Sequence, residues 1–248
     1  MPTPFTHLEI AQRFLRDEAL PQPLRDTIAR RSGAFLLGSI AADARVGSGA
    51  KREDTHFYAY GQPINGPVWE HMTDRYPHLL TPADHAHRAF MAGYVAHLSV
   101  DEYWTRNLTH PHFALRHWAD QAERFYMLHI LLIIMDQRDL DQLEGWQPDS
   151  LCAANPDGWL PFMTDSDLRN WQQLIYDQIR PGGDSQTLEI FGGRISKSPE
   201  EMQAIIDNPL EIQARLWDHI PRAFVAEVEA GMYAYAREQM LIYWHRTA

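Results

Sequence analysis

The sequence predicts an all-α fold in a single domain. Apolar residues recur at helical spacing through most of the chain, as at Phe224, Val228 and Met232 near the C-terminus. Helix-start signals are also frequent, and the clearest is Ser198-Pro199-Glu200-Glu201. The 248 residues are 45% hydrophobic and 11% aromatic, which is enough for a real core. We therefore expect one multi-helix bundle over residues 1–248, without an internal repeat or a clear linker.

The predicted helices are placed by caps, prolines and apolar spacing. Thr6 is a plausible N-cap of the first helix, and Pro82 a plausible first residue of the longest one. Residues 45–67 and 146–167 are rich in Gly, Pro and polar residues, so they are predicted loops. A strand is credible only within 181–195, which allows at most a small hairpin near 186–195. The predicted helices span 7–17, 23–44 with a bend near Gly33, 68–75, 82–107, 115–137, 168–179 capped by Asp165 or Ser166, a segment from Ser198, and 221–245.

Composition excludes several classes of function. The formal net charge of −11 argues against stable nucleic-acid binding and against an electrostatic anchor on anionic lipid. A single cysteine, Cys152, excludes an intramolecular disulfide and a thiolate zinc site. The strongest apolar run, Met127 to Met135, is too short to span a bilayer, and the start of the chain has no signal-peptide pattern. We expect a cytoplasmic protein, and the C-terminal aromatic run leaves a homo-oligomer possible.

Five residues of metal-ligand type dominate the first two-fifths of the chain. His97 and Asp101 lie four residues apart on a predicted helix, so their side chains can close on one ion. A structural His–Asp hydrogen bond is an equally good interpretation of that pair alone. His56 follows a polar loop, which by itself is more typical of a surface histidine. Asp43 ends a small-residue helix and His7 begins the first helix, and neither position suits the residue as a cap.

Taken in order, these residues resemble the zinc-dependent phospholipase C family of bacteria, which shares its all-helical fold with the single-strand-specific P1 nuclease type. The resemblance rests on FTHLEIA at 5–11, FLLGSIAADA at 35–44 with DTHF at 54–57, and MAGYVAHLSVDEYW at 91–104. It covers residues 5–107 and little beyond. It implies that His7, Asp43, His56, His97 and Asp101 bind two clustered zinc ions, with Asp101 as the bridging carboxylate.

The sequence departs from that family in two respects. Secreted members use the amine of their mature first residue as a ligand, whereas His7 here follows six residues, so we expect that ligand to be absent. A third zinc in the family needs a His-x-x-x-Glu pair, but Gln121 stands four residues after His117. His110, His112 and His117 are better explained as part of a solvated loop. His129 and Asp136 on the next helix, or Asp120 and Glu123, could supply ligands instead. We therefore expect two ions, or even one, rather than three.

The expected function is metal-dependent hydrolysis of phosphoric esters. Asp101 would hold the ions together, and Asp54 would orient His56 or act as a general base, although an ordinary polar loop residue explains Asp54 better. Zinc is the favoured ion, and iron or manganese would suit the same ligands. The substrate would be a small-molecule phosphoester or a lipid head group. The alternative is a non-catalytic helical protein that keeps a metal for structure or binds a partner.

Overall fold

The structure, a computed structural model, describes residues 1–59 and 61–247, and the regular secondary structure in these residues is helical. No strand is present in these residues, which confirms the all-α prediction. The α-helices are α1 (Pro4–Arg16), α2 (Gln22–Arg30), α3 (Ser32–Ala41), α4 (Arg45–Ser48), α5 (Arg52–His56), α6 (Val68–Arg75), α7 (His85–Trp104), α8 (Gln121–Gln142), α9 (Gln147–Cys152), α10 (Asp165–Ile179), α11 (Thr187–Ile195), α12 (Pro199–Ile206), α13 (Pro209–Ile212) and α14 (Arg222–Arg246). Short 3-10 segments form at Ala42–Ala44 and Pro77–Leu80, and π-helical segments at Thr105–Leu115 and Gln213–Trp217.

Helix α7 forms the centre of the bundle. It packs most extensively against α3 and α14, while α1 lies across α3 and α8. Every residue from 89 to 102 is buried, so α7 is enclosed on all sides. A polar side chain on such a helix has no water to satisfy it and must find its partners within the protein.

Two glycines bring α3 and α7 into backbone contact. A Cβ atom on Gly38 would lie 1.9 Å from the carbonyl oxygen of Phe90, and one on Gly93 would lie 2.3 Å from that of Phe35. Neither position tolerates a side chain unless the two helices separate. Because Gly93 lies one turn before His97, it admits the backbone of α3 next to that residue.

Several helix boundaries differ from the predicted ones because other residues cap them. Helix α1 begins at Pro4, so Thr6 lies inside it rather than at its N-cap. Asp84, not Thr81 or Pro82, caps α7 by accepting from the amides of Ala86 and His87. Thr164 caps α10 in a capping box, ahead of the predicted Asp165 or Ser166. In each case the N-cap lies within four residues of the predicted start of the helix.

The small hairpin that the sequence allowed near 186–195 does not form, because this segment is helix α11. Leu188, Phe191 and Ile195 are buried or partly buried and recur at helical spacing. The paired glycines favoured a turn in the sequence. Gly192 instead allows a close approach within the fold, since a Cβ there would lie 2.4 Å from the carbonyl oxygen of Lys197.

Other predictions hold closely. Helix α6 has the predicted bounds, Ser198 and Glu201 form the predicted capping box of α12, and α14 matches its predicted span within a residue. The predicted loop at 45–67 is only partly a loop, because α4 and α5 interrupt it. Among residues 1–59 and 61–247, no helix has both the length and the apolar character required to cross a membrane.

The contact between α3 and α7 gives a direct prediction. Gly93→Ala should lower the free energy of unfolding by about 1–3 kcal/mol, since the methyl group overfills a close-packed interface. Gly47→Ala is the matched control, because a Cβ atom on Gly47 in α4 would have no neighbour within 4 Å. That variant should be neutral or slightly more stable. Equal denaturation midpoints for the two variants in urea would contradict the described packing.

A buried carboxyl group on α8 couples the stability of the fold to pH. Asp136 is 1% exposed and accepts a hydrogen bond from Thr187, while its Oδ1 atom has no partner. Burial raises the pKa of Asp136 from 3.8 to about 7, although hydrogen bonds from Thr187 and Thr3 act in the opposite direction. Since the folded-state pKa exceeds the unfolded one, the neutral form stabilises the fold below about pH 4. This stabilisation is lost as the pH rises through 7.

Asp136→Asn removes the ionisation while keeping the shape of the side chain. Relative to that of the natural protein, its free energy of unfolding should be roughly 2–3 kcal/mol higher at pH 8 than at pH 5, because the natural protein alone loses stability when Asp136 ionises. Asp141→Asn, an exposed position on the same helix, should show no such pH dependence. Chemical denaturation at the two pH values measures the difference, and an identical offset at both would refute the assignment.

Candidate metal centre

Five buried side chains from separate parts of the chain meet beside α7. His7 comes from the second turn of α1, Asp43 from the 3-10 segment that extends α3, and His56 from the last residue of α5. His97 and Asp101 project from α7 itself. Four of the five are at most 2% exposed, and Asp43 is 9% exposed. The structure thus brings together all five residues expected to bind metal.

The side chains are close but not in direct hydrogen-bond contact with the central carboxylate. Asp101 Oδ1 lies 3.5 Å from His7 Nε2, and Asp101 Oδ2 lies 3.3 Å from His56 Nε2 and 3.6 Å from His97 Nε2. Asp43 Oδ1 is 3.5 Å from His56 Nε2. These distances exceed the 2.7–2.9 Å or so of a charge-assisted hydrogen bond. The side chains of the cluster are therefore spaced slightly too far apart to hydrogen-bond strongly to one another.

Backbone and hydroxyl groups orient two of the imidazoles. His97 Nδ1 lies 2.8 Å from the carbonyl oxygen of Ser39 and must donate to it, which leaves Nε2 as the lone-pair nitrogen facing the cluster. His56 Nδ1 lies 2.9 Å from the Thr55 hydroxyl. Tyr94 on α7 donates to the carbonyl oxygen of Thr55 at 2.7 Å and so ties the end of α5 to the central helix. Metal-binding histidines are typically fixed in this way through their second nitrogen.

The donor set fits a cation. Ligand atoms about 2.0–2.2 Å from a tetrahedral ion lie about 3.3–3.6 Å from one another. The contacts of Asp101, His56 and His97 fall in this range, including a distance of 3.4 Å between the Nε2 atoms of the two histidines. His7 Nε2 and both carboxylate oxygens of Asp101 are buried without a hydrogen-bond partner. Such atoms are costly to bury unless something binds them, and a metal ion would.

Two groups of three potential ligands share His97. One comprises His7, His97 and Asp101, and the other comprises Asp43, His56 and His97, each with its ligand atoms within 4.8 Å of one another. These groups could hold a metal ion. Because His97 presents one nitrogen to the cluster, it can serve only one ion at a time. The two oxygens of Asp101 face different histidines: Oδ1 faces His7, and Oδ2 faces His56 and His97.

The electrostatics favour ionised carboxylates beside mostly neutral imidazoles. The pKa of His7 is lowered to about 4, chiefly by burial and also by the charge of His97. Burial and the charge of Arg52 also lower the pKa of His56. Burial likewise lowers the pKa of His97, but the Asp101 carboxylate outweighs it and the net change is upward.

Both carboxyl groups are ionised despite their burial. Burial raises the pKa of Asp101, but the polar ring nitrogens of His56, His7 and His97, 3.3–3.6 Å away, outweigh this effect and hold the pKa well below its usual value. The pKa of Asp43 is lowered in the same manner by His56 and His97. Ionised carboxylates and neutral imidazoles are the forms that bind metals.

The sequence analysis missed Arg52 and Tyr58, which border the cluster. Arg52 lies on α5 one turn before His56, and its guanidinium is 3.6 Å from Asp101 Oδ2. It donates a hydrogen bond to the Tyr58 hydroxyl at 2.5 Å. The i, i+4 spacing of Arg52 and His56 would have revealed the arginine, had this predicted loop been interpreted as a helix.

Asp54 is not a member of either group of potential ligands. Its carboxylate lies 3.6 Å from the guanidinium of Arg75 and its side chain is 44% exposed. In α5 it lies only two residues before His56, on a different face of the helix. The structure therefore gives no support to the prediction that Asp54 acts at the cluster.

The histidines considered for a third ion do not form a further group. Among the described residues 1–59 and 61–247, no other set of three potential ligands comes together. His110 and His117 are exposed, and His112 is partly buried in the π-helical segment rather than in a loop. His129 Nδ1 lies 2.6 Å from the carbonyl oxygen of Phe125, its helix neighbour. The proposed substitute pair of His129 and Asp136 is thus engaged elsewhere.

The amino group of Met1 is buried near the cluster. Burial lowers the pKa of this amine to about 6, and it interacts with the charges of Asp101, Arg52 and Asp43. The Met1 side chain contacts the guanidinium of Arg52, and its sulfur lies 3.5 Å from the Tyr58 hydroxyl. The N-terminal residue therefore covers the side of the cluster where Arg52 lies.

Comparison of this chain with protein-family models, curated proteins and solved structures finds no match.

The cluster predicts tight binding of a divalent cation. Elemental analysis and titration should find zinc bound to the natural protein and to His85→Ala, an exposed position on α7. Binding should be lost in His97→Ala. Zinc at 100-fold above its dissociation constant should stabilise the fold by about 3 kcal/mol. Equal zinc binding by both variants would place the ion elsewhere.

Proposed function

We propose that this protein is a metal-dependent hydrolase of phosphoric esters, with zinc ions bridged by Asp101. The observation that carries the proposal is the buried cluster of two carboxylates and three imidazoles, in which His7 Nε2 and both carboxylate oxygens of Asp101 have no hydrogen-bond partner. When bound, two such ions lower the pKa of a water molecule and stabilise the oxygens of a phosphate ester. The order of His7, Asp43, His56, His97 and Asp101 along the chain supports the proposal through its resemblance to the zinc-dependent phospholipase C family.

The chain's own residues would prepare the site for this chemistry. Ser39 holds His97 in the tautomer that presents Nε2, and the ring of His7 stacks on His97 with centroids 3.9 Å apart. Asp101 presents one oxygen to each side of the cluster. Zinc is proposed ahead of iron or manganese because imidazole and carboxylate in a compact, closely spaced set suit it.

A nearby groove is a candidate place for the rest of the substrate. This groove, of about 610 Å³, is lined by residues 48–50 and by residues 158 and 160–165 together with Asp167. The Phe162 ring on its wall contacts Phe57, which follows His56, and also Tyr94. Residues 48–50 form the other wall, and they follow Asp43, the most exposed of the five residues, by five residues along the chain. A small organic phosphoester or a lipid head group would fit a groove of this size.

The second candidate is a non-catalytic protein that keeps a metal for structure. The depth of the cluster favours it, because His56 and Asp101 are 0% exposed. A structural ion has all its coordination positions filled by the protein, whereas a catalytic one keeps a position open to water or substrate.

Turnover distinguishes the two candidates. The zinc-loaded protein should hydrolyse bis(p-nitrophenyl) phosphate or a soluble short-chain phospholipid, and chelation should abolish the activity. His97→Ala should lower kcat/KM by more than about a hundredfold, since even residues that only orient a ligand are worth 10–100-fold. His85→Ala should retain full activity. Stoichiometric zinc without turnover on either substrate would favour the structural role instead.

A further inference from the structure

Arg52 is a charged side chain buried against the candidate metal centre, although it cannot itself bind a metal ion. It is 6% exposed, and its guanidinium lies 3.6 Å from Asp101 Oδ2. The same oxygen is 3.3 Å from His56 Nε2 and 3.6 Å from His97 Nε2. Arg52 and an ion bound by these residues would therefore share one carboxylate oxygen.

Two cations that share one buried carboxylate repel each other. Little water reaches this part of the protein, so the repulsion is screened weakly. An anion that contacts both cations removes the conflict, since it adds the missing negative charge. The fixed charges of Asp43, Asp101 and Arg52 sum to −1, so a single divalent ion already leaves an excess of +1 at the site.

We propose that Arg52, with the hydroxyl of Tyr58, forms an oxyanion subsite that binds the phosphate group next to the metal centre. This inference rests on the proposed function and names the part of the substrate that the site recognises. A guanidinium presents paired N–H donors whose spacing matches the oxygens of a phosphate. Tyr58 lies 3.0 Å from the Thr105 hydroxyl, so it is held in place to contribute a further O–H donor.

One of the side chains in contact with Arg52, that of Met1, is a weak hydrogen-bond acceptor. The Met1 thioether contacts the guanidinium and lies 3.5 Å from the Tyr58 hydroxyl. A thioether sulfur is a weak hydrogen-bond acceptor, whereas a phosphate oxygen forms a charge-assisted bond. Met1 as a residue is only partly buried and its side chain is unbranched and adaptable, so a phosphate group can displace the thioether at this face.

The subsite makes metal binding and anion binding mutually reinforcing. Two ligands that stabilise each other must do so reciprocally, so phosphate should tighten zinc binding by the same factor as zinc tightens phosphate binding. In the natural protein we expect low-millimolar inorganic phosphate to lower the dissociation constant for zinc by about tenfold, a usual magnitude for coupled sites. Titration with zinc buffered at nanomolar free concentration measures this factor without precipitating zinc phosphate.

Variants of Arg52 isolate the subsite. In the absence of phosphate, Arg52→Gln should bind zinc at least as tightly as the natural protein does. Added phosphate should then change the zinc affinity of this variant by less than about twofold. Arg52→Lys keeps the charge and should retain part of the coupling. Tyr58→Phe, which keeps the aromatic ring, should reduce the coupling without abolishing it. Arg75→Gln, which removes a guanidinium that is 54% exposed, should leave the coupling unchanged.

The outcomes separate this inference from the proposed function. Zinc binding with equal phosphate coupling in the natural protein and Arg52→Gln would overturn the subsite and leave the metal centre intact. A failure of the natural protein to bind zinc would overturn both. Dimethyl phosphate in place of inorganic phosphate distinguishes the source: coupling to both anions supports recognition of a diester, and coupling to inorganic phosphate alone supports recognition of a monoester or a free phosphate product.

Discussion

The close contact between α3 and α7 is the constraint on which the candidate centre depends. Gly38 and Gly93 let the two backbones approach until the carbonyl of Ser39 reaches His97 Nδ1 at 2.8 Å. That one hydrogen bond determines which nitrogen of His97 faces the cluster. The extension of α3 into the 3-10 segment then places Asp43 beside the same site. Backbone packing thus determines the chemistry of the side chains.

The cluster concentrates charge in a place that a folded chain ordinarily avoids. Two ionised carboxylates and an arginine are buried together, and several polar atoms there have no hydrogen-bond partner. Groups of this kind reduce stability unless they are paired or bind an ion. The open spacing of 3.3–3.6 Å around Asp101 suits ligands of a cation better than members of an ion pair. For the same reason, Arg52 serves better as an anion partner than as a structural ion pair.

The sequence predicted the helices and the five clustered residues better than it predicted their surroundings. The pairing of His97 and Asp101 could be predicted from the sequence because i, i+4 spacing on one helix fixes their separation. The convergence of His7, Asp43 and His56 depends on tertiary packing and was inferred only through a family resemblance. His56 was expected to be more typical of a surface position, yet it is fully buried, because Tyr94 fastens Thr55 to α7. Local sequence contains no signal for such a long-range bond.

The wrong predictions have related causes. Residues 187–195 carry a glycine pair that is typical of turns, but packing of Phe191 and the hydrogen bond of Thr187 to Asp136 favour a helix. The prediction of loops around α5 hid Arg52, since a residue in a loop has no defined face. Asp54 was selected for its nearness in sequence to His56, and helix geometry turns it towards Arg75 instead.

If one buried cluster binds the metal, anomalous diffraction from crystals of the zinc-loaded protein, recorded at the zinc absorption edge, should locate the ion there. We expect a peak within about 2.0–2.2 Å of ligand atoms from His56, His97 and Asp101. A peak confined to surface histidines such as His110 or His117, with no anomalous signal between the cluster side chains, would contradict this expectation.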